Sequence, residues 1–314
     1  MNKEAMKIKP ILSMLMFCFI GFSQELYPPV NSQYLAENPF VLSPIFAGIE
    51  DNLKIRANGI KQWVGIKDAP KNQSLYADFR TTNHSGIGFS LYNDSNGNTS
   101  QMGAKFSFSH HITLDLETKQ YLSFGLSFHI NSFKINSSQF NINSEFQPFD
   151  PGIDNNRTTS NNNFDVGLLY RNKGFYMSIS GDNVLPKTKS NNLTRLPDMV
   201  LNYQLYLGYI IKNSSNSNVE IEPSVYHLFF GVDNRSTSDF NLKYRRHNGF
   251  GNYYWGGIGY RFLNGQPSVP LTVAPMGGFK KANFYFGYSY QVNLNQLAYY
   301  NSGTHMVTLG YDFH

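Results

Sequence analysis

The chain has 314 residues, of which 16% are aromatic and only 15% charged, with a mean hydropathy of −0.37. Abundant Phe and Tyr with little charge exclude a disordered chain. The prominence of Asn, Ser, Gly, Tyr and Phe argues against a helical bundle, and no stretch beyond the N-terminal segment approaches the roughly 18 apolar residues of a membrane helix.

The first 23 residues read as an export signal. Lys3, Lys7 and Lys9 precede an apolar run from Ile11 to Phe22, and the small residues Gly21 and Ser23 sit at the −3 and −1 positions of a cut before Gln24. This segment carries +2 of the formal +5 charge, so the remainder is near +3, too mild to point to nucleic acid. The single cysteine, Cys18, lies inside the signal, and the bulky Met16 and Phe17 before it do not suit a lipoprotein site. The exported chain is therefore expected to lack disulfides, thiol chemistry and cysteine metal sites. Residues 24–52 form a Pro-rich stretch, interrupted by Pro28, Pro29, Pro39 and Pro44. It is expected either to plug a lumen or to sit on the periplasmic side.

From residue 53 the dominant signal is period-two alternation. Leu122, Phe124, Leu126, Phe128 and Ile130 alternate with Ser123, Gly125, Ser127 and His129; Ile87, Phe89 and Leu91 alternate with Gly86, Gly88 and Ser90. Successive strand side chains point to opposite faces, so each stretch has one apolar and one polar face. Fourteen strands are predicted, near 53–60, 72–80, 85–93, 99–111, 120–138, 162–171, 173–181, 199–212, 217–227, 236–247, 252–262, 271–279, 282–292 and 303–313. Many run to about ten residues, the length a tilted strand needs to cross a bilayer, where strands of soluble proteins average five or six. The reading is an all-β transmembrane antiparallel barrel over residues 53–314, in the outer membrane. Tyr253, Tyr254, Trp255, Tyr299 and Tyr300 are expected in aromatic girdles. Alternation slips phase at Asn131–Ser132, where a bulge or break is a possibility. Keeping 120–138 whole preserves an even strand count and alternates short turns with long outer loops such as 139–161, as outer-membrane barrels do.

No catalytic or cofactor signature is present: there is no nucleophile elbow, no His-Glu-x-x-His pair and no phosphate loop. His110 and His111 are adjacent, so on a strand they face opposite ways and read as polar rim residues. Glu220 and Glu222 share a predicted lumen face. Lys243 and Arg245 share one too, beside Arg246, and the two sets are expected to pair.

Several segments, in order along the chain, resemble a known family. Gln33-Tyr34-Leu35-Ala36-Glu37-Asn38-Pro39 is followed by Ser43-Pro44-Ile45-Phe46-Ala47-Gly48; then come Gln62-Trp63-Val64-Gly65-Ile66 and Ala69-Pro70-Lys71-Asn72-Gln73-Ser74. Gly86 to Asn93 with Asp94, Gly97 and Gln101 follows, and the chain closes with Gly303-Thr304-His305 and Leu309-Gly310-Tyr311-Asp312-Phe313. These segments resemble the PorP/SprF family of Bacteroidetes, linked to type IX secretion and gliding motility. Ser43, Ile45 and Asp68 depart from the family pattern. The motif positions singled out are Asn38, Pro39, Pro44, Ala47, Gly48, Gln62, Trp63, Gly65, Ala69 and Pro70, none with a catalytic role. The resemblance implies a non-enzymatic barrel in outer-membrane lipid, with type IX secretion components and secreted adhesins of the type B C-terminal-domain class as partners. A porin or small-solute transporter is the alternative expectation.

Overall fold

The computed structural model describes residues 38–136, 157–185, 200–212, 218–231, 235–265 and 267–313. The expected export signal, the segment 24–37 and most of the long loops 139–161 and 182–198 lie outside the described residues. Alternating stretches form antiparallel strands in chain order: β1 (Leu53–Lys61), β2 (Lys71–Thr82), β3 (Ser85–Asn96), β4 (Thr99–Asp115), β5 (Gln120–Ile135), β6 (Arg157–Asn172) and β7 (Phe175–Asp182). Then follow β8 (Asn202–Tyr209), β9 (Ile211–Lys212), β10 (Val219–Phe230), β11 (Ser236–Gly249), β12 (Asn252–Asn264), β13 (Val269–Lys281), β14 (Phe284–Asn293) and β15 (Thr304–Phe313).

Each strand pairs with its neighbours in sequence, and β15 pairs with β1, which closes the sheet on itself. β8 and β9 both pair with β10 and are one strand interrupted at Ile210, whose N–H donates to the Gly174 carbonyl at 2.8 Å. The barrel therefore has fourteen strands, and closure removes the unpaired edges that lipid cannot satisfy. All fourteen predicted strands are present.

The two faces sort as alternation requires. On β5, Phe124, Leu126 and Ile130 are exposed on the outside, while Ser123, Ser127, His129 and Asn131 are buried inside. An exterior this greasy is stable only against lipid. The stretch read as one strand over 120–138 is one strand, without the bulge or break that the phase slip at Asn131–Ser132 allowed: β5 pairs without a register shift with β4 from Ile135 to Tyr121 and with β6 along its whole length. Phe133 simply faces inward and Lys134 outward. The slip in hydrophobic phase marks a strand continuing past its apolar outer band, not a change in its backbone. Two girdle assignments are likewise corrected. Trp255 is buried and Tyr253 packs against it, both on the inner face, while Tyr254 points outward.

The strands meet tight connections at one end, such as Lys173-Gly174 and Ala282-Asn283, where Lys173 and Ala282 take positive φ (53° and 52°). Such left-handed turn residues match the twist of two-residue hairpins. Leu53 and Phe313 pair at this same end. The longer connections, including 62–70 and 294–303, lie at the opposite end.

Candidate functional site

The interior of a fourteen-stranded barrel is too wide for its own side chains to fill. Here residues 38–49 occupy it at the short-turn end. Two prolines open two short 3-10 turns, Pro39–Val41 and Pro44–Phe46, as a fixed φ and a missing N–H allow at a first helical position. The turns aim Phe40, Leu42, Ile45 and Phe46 into a buried cluster shared with Ile60, Tyr76, Leu169, Tyr206, Tyr226, Leu228 and Met306 of the wall. Ile45 and Ala47 are 0% exposed.

Inward-facing glycines make room for this plug. A Cβ on Gly125 would lie 2.5 Å from the Ile45 nitrogen, one on Gly86 would lie 2.3 Å from the Ala47 carbonyl oxygen, and one on Gly88 would strike the Phe40 ring. Gly48 takes φ +60° where the plug leaves the lumen, and its Cα abuts Gly86. Glycine alone combines that dihedral with that approach. The glycines on the polar faces of β3, β5 and β6 are thus the seat of the N-terminal segment.

Polar groups hold the plug's backbone. Gly48 N–H donates to Asp78 Oδ2 at 3.0 Å. Arg80 donates from Nε to the Gly48 carbonyl at 3.0 Å and from Nη2 to the Ile49 carbonyl at 2.7 Å, and also pairs with Asp51. The Ala47 carbonyl accepts from Ser109 Oγ at 2.5 Å and lies 3.0 Å from His111 Nε2. A carbonyl can only accept, so Nε2 carries the proton and Nδ1 accepts from Ser123 Oγ at 2.8 Å; one neutral tautomer serves both bonds. His110 and His111 do face opposite ways, but His111 is a buried clamp on the plug, not a rim residue. Phe46 reaches the far wall, edge-on to Tyr206, whose ring also meets Tyr176 and Tyr226.

The motif positions separate into two places. Asn38, Pro39, Pro44, Ala47 and Gly48 belong to the plug. Gln62, Trp63, Gly65, Ala69 and Pro70 lie at the opposite end, in the β1–β2 connection. There Gln62 N–H donates to the Pro70 carbonyl at 2.9 Å. Val64 exchanges backbone bonds with the β14–β15 connection, to Gly303 at 3.0 Å and from Ser302 at 2.7 Å. The loop therefore staples the seam between the first and last strands. Trp63 (φ 46°) and Asp68 (φ 56°) hold left-handed backbone there.

Glu220 and Glu222 face inward opposite Lys243 and Arg245. Lys243 Nζ is 2.6 Å from Glu222 Oε2, and Arg245 Nη1 is 3.1 Å from Glu220 Oε2, which His247 also approaches, while Lys212 pairs with Glu220 Oε1. Arg246 is exposed on the outside. Sequence reasoning missed two further networks. Asp312 is shared by Arg56 and Lys280 at 2.6 and 2.5 Å. Asp165, fully buried, accepts from Lys105 at 2.6 Å, from Ser127 Oγ at 2.9 Å and from the Asn183 backbone at 3.0 Å. The available signal was only that each charge sits at an inward position of its strand. Among the described residues no group of three or more His, Cys, Asp or Glu is placed to hold a metal ion.

Over residues 23–311 the sequence matches the family described as type IX secretion system membrane protein PorP/SprF. The chain belongs to this family. No curated protein sequence matches it. Among solved structures, a CymD monoaromatic hydrocarbon channel is similar at TM-score 0.54 and 12% identity, covering 91% of this chain and 94% of that one. BamA from Haemophilus ducreyi lacking POTRA domains 1–3 aligns at TM-score 0.42 and 10% identity, covering 84% of this chain and 71% of that one. The protein is thus an outer-membrane β-barrel of the type IX secretion system. Its family is that of a type IX secretion membrane protein, and its fold is that of outer-membrane barrels.

Proposed function

We propose that this barrel binds and retains, or helps to export, secreted surface proteins such as adhesins of the type B C-terminal-domain class. It would do so without a chemical step of its own, alongside other type IX components. Residues 1–23 would serve as the export signal, residues 24–52 as the N-terminal lumen segment, and 53–314 as the barrel, with the short-turn end in the periplasm. The observation that carries this reading is the plug. Residues 38–49 pack against the inner wall with buried apolar side chains and clamped carbonyls, which favours a sealed scaffold over an open pore. The opposite end then offers the long connections to a partner.

The test is an affinity pull-down from detergent-solubilised outer membrane, with the captured proteins identified by mass spectrometry. Recovery of a secreted adhesin together with type IX components is expected, and its loss on deleting 139–161 would locate the contact. Recovery of the barrel without either partner would sink the proposal. The alternative, a porin or small-solute transporter, draws support from the unfilled space beside the plug. Open single-channel conductance of the wild-type barrel in planar bilayers would favour it.

A further inference from the structure

The plug leaves part of the short-turn half of the lumen empty. A cavity of about 350 Å³ lies between Pro39, Phe46 and Ile49 of the plug and the inner faces of β1, β6–β8, β10–β13 and β15. Six cationic side chains line it among the described residues: Lys54, Arg56, Arg171, Lys243, Arg245 and Lys280. Only three carboxylates do so: Glu50, Glu222 and Asp312. Asp312 serves both Arg56 and Lys280, Glu222 serves Lys243, and Glu50, at the exposed margin, serves Lys54. Glu220, just outside the lining, serves Arg245 but is shared with Lys212.

Arg171 stands apart. It projects inward from the end of β6, and among the described residues no carboxylate lies within ion-pair distance of it. Its Nε is shielded from solvent and has no hydrogen-bond partner, and its guanidinium lies over the Tyr121 ring, 5.0 Å from the centroid. A sheltered donor without an acceptor is costly, and a sheltered cation more so. A guanidinium presents a planar fork that fits the two oxygens of a carboxylate or phosphate. The remaining wall carries apolar and aromatic groups, Phe46, Leu169, Tyr176 and Tyr206 among them, together with the imidazole of His247. The volume is at the small end of the range for ligand pockets.

We propose that this cavity is a binding site for a small organic anion. Its carboxylate or phosphate group is held by Arg171 within the surplus positive field, and its apolar part lies against Phe46, Tyr176 and Tyr206. The site is independent of the partner-binding role proposed above.

The test is isothermal titration of the full-length barrel in a zwitterionic detergent with phenyl phosphate and with benzoate, and with benzyl alcohol as the uncharged comparison. At least one anion is expected to bind saturably at one site, to weaken with added salt, and to bind far more tightly than the alcohol. R171Q is expected to weaken binding at least tenfold, whereas R246Q, on the outer surface, leaves it unchanged. K54Q at the cavity margin provides a second variant, with a twofold or greater loss, should R171Q fail to assemble. Binding of phenyl phosphate alone assigns a phosphoryl ligand, and of benzoate alone a carboxylate. Absence of anion binding by the wild type, or wild-type affinity in the folded variants, overturns the proposal.

Discussion

Adding one methyl group at Gly125 tests whether the plug is seated as described. The new Cβ would lie 2.5 Å from the Ile45 nitrogen and 2.7 Å from both Ile45 Cα and the Pro44 carbonyl carbon. Carbon contacts are comfortable near 3.5 Å, so the plug backbone must retreat by about 1 Å. That movement stretches the bonds from Ser109 and His111 to the Ala47 carbonyl, two residues on. Overpacking costs about 1–3 kcal/mol, and each weakened hydrogen bond adds about 0.5–1.5 kcal/mol. G125A is therefore expected to lose roughly 2–6 kcal/mol in guanidinium unfolding in detergent micelles, followed by tryptophan fluorescence. G59A is the control, because nothing lies within 4 Å of its Cβ position; it should stay within about 0.5 kcal/mol of wild type. A cycle with I45A sharpens the test. The clash at Gly125 is with backbone, so I45A should not relieve it. At Gly167 the clash is with Ile45 Cγ2 and Ser43 Oγ, both at 2.8 Å, so G167A and I45A should couple by about 0.5–3 kcal/mol. Wild-type stability in G125A, or equal coupling of both glycines to Ile45, would refute the seating.

The plug's polar clamp gives a second expectation. R80A removes two bonds to plug carbonyls and should lower stability by about 1–3 kcal/mol while raising conductance in planar bilayers; unchanged conductance would show that the plug holds without it. K243M strips the inward-facing Glu222 of its ion-pair partner and should cost about 3–5 kcal/mol, whereas E222Q/K243M should recover at least half of that loss. A double variant as unstable as K243M would mean that the pair matters for packing alone. L126R places a charge on the lipid face of β5 and should cost about 2–4 kcal/mol if that position lies near the bilayer midplane. Normal heat-modifiable migration and normal unfolding would contradict the assigned outward direction.

The fourteen strands were legible in the chain because lipid on one side and a polar lumen on the other impose a two-residue period on every crossing. Leu122 to Ile130 shows this without help from any other strand. The period tells which residues share a face, but not how far lipid extends along a strand, so the phase change at Asn131 left room for a bulge where it marks only a change of surroundings. It also does not distinguish an inward aromatic from a girdle residue, which is why Tyr253 and Trp255 were misplaced.

The pairing of Glu222 with Lys243 was readable, since both lie at inward positions of predicted neighbouring strands. The sharing of Asp312 with Arg56 and Lys280 was not, because β1, β13 and β15 meet only when the barrel closes. The sequence by itself determined the strands, their faces and the glycines on the polar side. Only the tertiary structure decided what those glycines are for. The plug touches strands from β2 to β8, and its seat at Gly86, Gly88, Gly125 and Gly167 exists only once those strands stand side by side around it.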